Sequence, residues 1–365
     1  MDIKNFKTYT KESGFNTPTN LLCKLCPKDV ESGGTCSFFA EGNNPGCLKE
    51  DYYIECTYDV VANRDSGGTI IDFPVTKLYN NNDFGATAMT IDNGESRALS
   101  TGYTFNTEGE HTIRFYKGSP FTAFTIHSFT SCKSLMSVKG AKDIKQVGGL
   151  INGTEGAFLN CTKLKSIDLS EKCELLGYYA FKGCSSLVDV GSIKNVHTIG
   201  REAFNRCTSL KKVNMKNINS IEFSAFSGCT SLEKIGDLSK ATRIWDNGTP
   251  NHGSFQNCSS INQDIHLNLE TIRYYSFAGC RNIHDLYIDK CTLIEYHAFS
   301  NCTKMHAIYM LQVVPPETQY INNVGSFDTT GNCPIYVPEE SVQAYKTATN
   351  WIRYASRIKP MKKYR

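Results

Sequence analysis

The chain has 365 residues, room for two or three domains, and its 39 Lys and Arg against 36 Asp and Glu leave a net charge of +3 with the signs interspersed. That balance gives no basic footprint for nucleic acid, and no apolar run approaches the ~18 residues that would span a bilayer. The outlier is cysteine: sixteen residues, a number that in a secreted chain would suggest disulfides.

In chain order, residues 1–48 are rich in Gly, Asn, Lys and Cys without clear periodicity and read as an irregular leader that needs a partner to be ordered. The opening MDIKNFKTYT lacks an apolar h-region, a small-residue cleavage site or a lipidation motif. Synthesis in the cytoplasm without a signal peptide is therefore expected, a compartment that suits many thiols. Cys23 and Cys26 have the spacing of half a zinc knuckle, which Cys36 and Cys47 could complete. Against this, the second pair is not Cys-x-x-Cys, and no histidine precedes His111. Disulfides and ordinary thiols stay open as the other readings. Residues 49–118 change character: YYIECTYDVV, TIIDFPVTKLY, ATAMTID and HTIRFYKG alternate in strand fashion between Gly- and Asn-rich turns. A small β-sandwich is predicted there, shielding one end of the region C-terminal to it.

From residue 119 a Phe-x-x-Cys pair recurs eight times, from Phe129/Cys132 through Phe158, Phe181, Phe204, Phe226, Phe255 and Phe277 to Phe299/Cys302. The phenylalanines are spaced by 29, 23, 23, 22, 29, 22 and 22 residues. Three residues after each cysteine stands an apolar residue, Leu135 to Met305, and then alternating pairs such as Ile167/Leu169 and Val213/Met215. A fixed period in this range, with one short strand per unit, predicts a solenoid whose stacked units share one core. Neighbouring repeat cysteines would be bridged only by breaking the equivalence of the column. Cys173 and Cys291 share a second column with Phe121, Val196, Ile218 and Leu269. A cysteine alternating with Val, Ile and Leu is a small hydrophobe, so reduced, buried thiols are expected. The sequons at Asn160, Asn257 and Asn301 fall on the repeat motif and read as by-products of it.

Units such as IGREAFNRCTSLKKVNM (199–215) and IEFSAFSGCTSLEKI (221–235) resemble the BspA-like leucine-rich repeat family over about residues 119–312. Departures are modest: Glu222, Arg273 and Glu295 replace the family glycine, and Ser254 and Ser276 the alanine. The C-terminal segment, 313–365, resembles the tail that closes such solenoids. Pro338-Glu339-Glu340 signals a helix start, with Val342, Tyr345, Ala348 and Ile352 at helical spacing. The expected fold is mainly β: a small β-sandwich, an eight-repeat leucine-rich-repeat solenoid and a C-terminal helical cap.

No phosphate-binding loop, nucleophile elbow, metalloprotease helix or dinucleotide fingerprint is present in the sequence. Neither an enzyme nor a cofactor is expected, because Cys–His chemistry needs an exposed, low-pKa thiol. Recognition is the natural use of a repeat ribbon. Three residues before the phenylalanines stand Tyr178, Arg201, Phe223, Tyr274 and Tyr296, types enriched at binding hot spots. The competing reading is that these rings lie flat and shield the solenoid edge. Both long gaps carry their extra residues just before the phenylalanine, as GGLINGTEG (148–156) and WDNGTPNHG (245–253), which adds Asn152, Trp245, Asn247 and His252 as candidates. The resemblance implies adhesion or attachment at a surface. Expected partners are other proteins of a larger assembly, or a host-cell surface protein or glycan, with no nucleic acid and no membrane insertion. A virion component of a tailed phage is the leading expectation. A bacterial cell-surface adhesin and an intracellular scaffold are the alternatives.

Overall fold

The computed structural model describes residues 52–80, 85–150, 155–245 and 252–361. The leader, with Cys23, Cys26, Cys36 and Cys47, lies outside the described residues, as do Asn152 and Asn247. Each solenoid turn is built from two parallel ladders and a tight corner. One ladder carries the strand that follows Cys-x-x-Leu, such as Ser166–Leu169, Lys212–Met215 and Asp285–Lys290. Its alternation buries Val213 and Met215 while Lys212 and Asn214 face out, as a half-buried strand requires. The second ladder uses only two residues per turn. It runs in register from Ala123–Phe124 through Gln146–Val147, Leu175–Leu176, Thr198–Ile199 and Ser220–Ile221 to Arg243–Ile244.

The corner explains the repeated motif. In all eight copies the residue before the cysteine has φ between 58° and 78°: Ser131, Asn160, Gly183, Arg206, Gly228, Asn257, Gly279 and Asn301. Glycine and asparagine tolerate that left-handed conformation best. The Asn-Cys-Thr/Ser sequons therefore exist because asparagine is turning the chain. Behind the corner the phenylalanine rings form one stack from Phe129 to Phe327, with centroids 5.1–5.6 Å apart and planes within 11° of parallel.

Sulfur has a polar task here as well as an apolar one. Each thiol of the Phe-x-x-Cys column from Cys161 to Cys302 donates to the carbonyl of the preceding turn's phenylalanine, at 3.0–3.2 Å. The same carbonyls, on Phe158, Phe181, Phe204, Phe226, Phe255 and Phe277, also accept the N–H of their own turn's cysteine. Both lone pairs of a buried oxygen are thereby occupied. The twelve described cysteines are all unbridged and buried. Burial pushes the Cys132 thiol up to about 12 and the Cys161, Cys207 and Cys280 thiols well above their ordinary value. Cys207→Val keeps the apolar character but removes the donor and adds bulk. It is expected to destabilise by about 1–3 kcal/mol in urea unfolding. A valine variant as stable as the parent would show that thiol donation is incidental.

The first ladder breaks between Asp189–Gly191 and Lys212–Met215, and at one further place both ladders are interrupted together. In the other copies the first inward strand residue lies three positions after the Leu/Ile/Met column, but Ile265 lies four after Ile261. Both ladders break at this turn. The Gln263 side chain fills the gap: its Oε1 accepts the Ile235 N–H at 3.0 Å and its Nε2 donates to the Gly236 carbonyl at 2.9 Å. A side-chain amide here replaces a strand's missing backbone pair.

The N-terminal region joins the first ladder directly. Tyr53–Val60 pairs antiparallel with both Gly109–Tyr116 and the solenoid strand Leu135–Lys139, and Ala88–Ile91 adds the outer edge. Its inward side chains Ile54, Cys56, Tyr58 and Val60 are buried with Ile113, Phe115 and Phe105. Phe115 and Phe124 meet Phe129 edge-on, so they close the first ring of the stack.

At the other end the solenoid runs one turn beyond the eight motif copies. Phe327 continues the stack, Ile335–Val337 pairs with Ala307–Met310, and Thr330 stands where the cysteine would be. The Thr330 hydroxyl donates to the Phe327 carbonyl at 2.9 Å and accepts Arg357 Nη2 at 2.8 Å. Beyond it lies a six-residue helix, Val342–Thr347, which ends where Ala348 turns extended at ψ 148°. The helical spacing read as far as Ile352 therefore fails: Ile352 is 65% exposed. Tyr345, Trp351 and Tyr354 supply the buried contacts, and Trp351 Nε1 donates to the Pro316 carbonyl at 2.7 Å. The last strand, Ile358–Pro360, has proline on the outer edge, where no partner is waiting for an N–H. Among the described residues no helix is long and apolar enough to cross a membrane.

Candidate recognition edge

A second left-handed position, two residues before the phenylalanine, sets the geometry of the edge. Tyr179, Glu202, Ser224, Tyr275 and His297 have φ of 51–57°. The N–H groups of Tyr179, Glu202 and Ser224 donate to the carbonyls of Arg201, Phe223 and His252 in the next turn, at 2.9–3.0 Å. Each of these three candidate side chains is thus pinned by its own carbonyl. His252 lies three residues before Phe255, so the second insertion ends in register and the edge reads Tyr178, Arg201, Phe223, His252, Tyr274, Tyr296. The sequence singled His252 out only as part of the insertion. Counting back from Phe255 would have placed it in the column.

These side chains are half-buried, neither wholly flat nor freely projecting. The Arg201 guanidinium lies 4.5 Å from the Phe223 ring centre and 5.4 Å from that of Tyr179. Its Nε is 3.6 Å from Glu202 Oε1, an ion-pair distance, and makes no hydrogen bond among the described residues. His252 Nδ1 is likewise buried without a hydrogen-bond partner among the described residues, and its ring centre lies 6.3 Å from that of Phe223. Burial holds the Glu222 carboxyl above its ordinary value, while a hydrogen bond from Tyr178 works the other way.

Farther along, Tyr274 and Tyr296 lie 5.1 Å apart, and the adjacent Tyr275 stacks on His297 at 4.9 Å. Tyr275 and His297 were not among the candidates, because the next residue in each turn carries no common side-chain type. The buried Glu295 supports this cluster, accepting Arg273 Nη1 at 3.0 Å and the Tyr274 N–H at 2.9 Å. Burial pulls His297 below its ordinary value.

Trp245 stands at the start of the second insertion with 39% of its surface exposed. Its backbone is fixed: the N–H donates to the Ile221 carbonyl at 2.8 Å, and the carbonyl accepts the Ser254 hydroxyl at 2.8 Å. Ser254 thus has a use that the usual alanine could not serve. Arg243 lies 4.6 Å from the indole centre. Among the described residues no group of three or more His, Cys, Asp or Glu is placed to hold a metal ion.

The BspA type leucine rich repeat region matches residues 122–248 and 249–332, with six copies. Among solved structures, the T. pallidum leucine rich repeat protein TpLRR is 20% identical, covering 46% of this chain and 83% of its own, with a TM-score of 0.35. A leucine-rich repeat protein from Bacteroides ovatus is 16% identical over 80% of this chain and 100% of its own, with a TM-score of 0.25. A leucine rich cell surface protein from Faecalibacterium prausnitzii is 15% identical over 67% of this chain and 83% of its own, with a TM-score of 0.20. No curated protein sequence matches the chain. With its repeats matched over more than half its length, the chain belongs to the BspA type leucine rich repeat family.

Proposed function

We propose that this chain is a non-catalytic recognition protein that holds a macromolecular partner along the edge from Tyr178 to Tyr296, with Trp245 as an anchor beside it. The observation that carries this reading is the register: six turns in succession place Tyr, Arg, Phe, His, Tyr and Tyr at one position, with Arg201, Phe223 and His252 fixed through their backbone carbonyls. Pinned aromatic and arginine side chains lose little entropy on binding and are the usual hot-spot residues. Two hydrogen-bonding atoms in the middle of this edge, Arg201 Nε and His252 Nδ1, have no hydrogen-bond partner among the described residues. The thiols argue against a catalytic use, since burial raises those of Cys132, Cys161 and Cys207 away from the thiolate form.

The narrower reading is an attachment component of a tailed-phage virion, assembled in the cytoplasm. Unbridged buried cysteines support it, because a reducing compartment suits them. Quantitative proteomics of purified particles and of bacterial envelopes separates the two main settings. Enrichment in particles is the expected result, whereas enrichment in envelopes would replace the virion reading with a cell-surface adhesin.

Trp245→Ala tests the edge itself. Loss of an anchoring aromatic typically removes ~2 kcal/mol or more of binding, roughly thirtyfold in affinity. The fold should lose only about 0.5 kcal/mol, as for other surface positions. Retention of labelled protein on host cells or particles and the melting temperature are the two readouts. Unchanged retention with a lowered melting temperature would make Trp245 a packing residue.

A further inference from the structure

In the middle of the edge, Arg201 has hydrogen-bonding capacity that the chain does not use. Five described arginines lie within ion-pair distance of a carboxylate, and four of them hydrogen-bond it: Arg64, Arg114, Arg273 and Arg353. Arg201 is the exception, coming no closer to Glu202 than 3.6 Å through Nε. Nη1 and Nη2 bond to no described residue either. Unlike Nε they are not buried, so the fork of the guanidinium faces water.

The side chain is nonetheless held in place. It lies between Tyr179 of the preceding turn and Phe223 of the next, over both rings. Its backbone is fixed as well, because the Arg201 carbonyl accepts the Tyr179 N–H at 2.9 Å. The nearby carboxylates are engaged elsewhere. Glu202 Oε2 accepts Lys182 Nζ, which also lies over the Tyr179 ring. Glu222 faces the Tyr178 hydroxyl and the Arg201 N–H. Gly200 leaves the room for Tyr178 to cross towards Glu222, since a Cβ there would stand 2.8 Å from the Tyr178 Cδ1. A guanidinium fixed in this way is set for bidentate bonding at little further cost in entropy.

Charge and shape narrow the ligand. Lys182 and Arg201 are balanced by Glu202 and Glu222, so no surplus is left to offset a phosphate dianion. A carboxylate brings one charge and a planar pair of oxygens that matches the fork. The flanking rings stand two turns apart, ~10 Å by strand spacing. A carboxylate on a slender stem passes between them, whereas one fixed on a sugar ring brings the sugar against both.

We infer that Arg201 binds an aspartate or glutamate side chain of a protein partner, held end-on by Nη1 and Nη2 between Tyr179 and Phe223. This names the chemistry of the recognition edge and rests on that reading. The probe is the acetylated, amidated pentapeptide Gly-Gly-Glu-Gly-Gly, set against the same peptide with Gln or phosphoserine at its centre and against methyl glucuronide. Each is titrated into the full chain carrying nitrogen-15 arginine. The readout is the Arg201 Nε–Hε resonance, assigned by its loss in Arg201→Lys. The Glu peptide should move it saturably, the Gln peptide should leave it still, and phosphoserine and glucuronide should bind more weakly. No movement with Glu, equal movement with Gln, or tighter binding of phosphoserine or glucuronide would overturn the assignment. Arg201→Lys keeps the charge and loses the fork. Retention on host cells or particles should then fall about tenfold at an unchanged melting temperature, as for a bidentate pair reduced to one bond. If Trp245→Ala weakens retention and Arg201→Lys does not, the carboxylate assignment falls and the edge stands. A response to the Glu peptide with full retention in both variants would keep the carboxylate site and remove the edge from attachment.

Discussion

Phe204→Ala is expected to cost about 3–5 kcal/mol, the range for truncating a fully buried aromatic. Its ring is sandwiched between Phe181 at 5.3 Å and Phe226 at 5.1 Å, and it has no exposed surface. The cavity left behind would be closed off on both sides by parallel rings held in their own turns, so little collapse can relieve it. Solenoid stability depends on each turn's contact with the next. A lesion in the middle of the stack should therefore also split one cooperative urea transition into two. Phe204→Leu, which fills most of the volume, should lose much less. A Phe204→Ala loss below about 1 kcal/mol would mean that the stack follows from the turns and does not hold them together.

The second large effect concerns the C-terminal end. Ending the chain after Val337 keeps the ninth turn but removes Tyr345, Trp351, Tyr354 and the final strand. Phe327 would then show water the face now covered by Trp351 at 5.9 Å and Tyr354 at 5.8 Å. A solenoid that exposes its terminal core also exposes an unpaired parallel strand, here Ile335–Val337, and such edges associate. The truncated protein should aggregate at concentrations where the full chain is monodisperse by light scattering. The point variant Trp351→Ala should be soluble but less stable by about 3–5 kcal/mol. A truncated chain that stays soluble and melts cooperatively would show that the segment is not a cap.

Both effects rest on features of very different legibility. The Phe and Cys columns could be read because eight copies repeat the same residue types at the same spacing. The left-handed residue before each cysteine could not, since Ser, Asn, Gly and Arg share only a backbone angle. Thiol donation was equally hidden: a column of cysteines says small and apolar, while the carbonyl it serves belongs to another turn. The ninth turn escaped because Thr330 stands in the cysteine position and Cys333 in the leucine position, so the motif disappears while the packing persists. Val342, Tyr345, Ala348 and Ile352 promised a longer helix, but spacing cannot reveal that Trp351 will be drawn inward by the Pro316 carbonyl and Phe327. At the recognition edge, five of six column residues were legible by counting back from phenylalanine, and the insertion obscured the place of His252.

Thiol chemistry tests the core most directly. Alkylation of the folded chain, followed residue by residue with mass spectrometry, should label Cys161, Cys184, Cys207, Cys229, Cys258, Cys280 and Cys302 only at the rate of global unfolding. Denaturation under nitrogen should then release all twelve described cysteines as free thiols. A peptide joining two neighbouring repeat cysteines through a disulfide, or rapid labelling of the column in the folded state, would contradict a solenoid built on buried, hydrogen-bonded thiols.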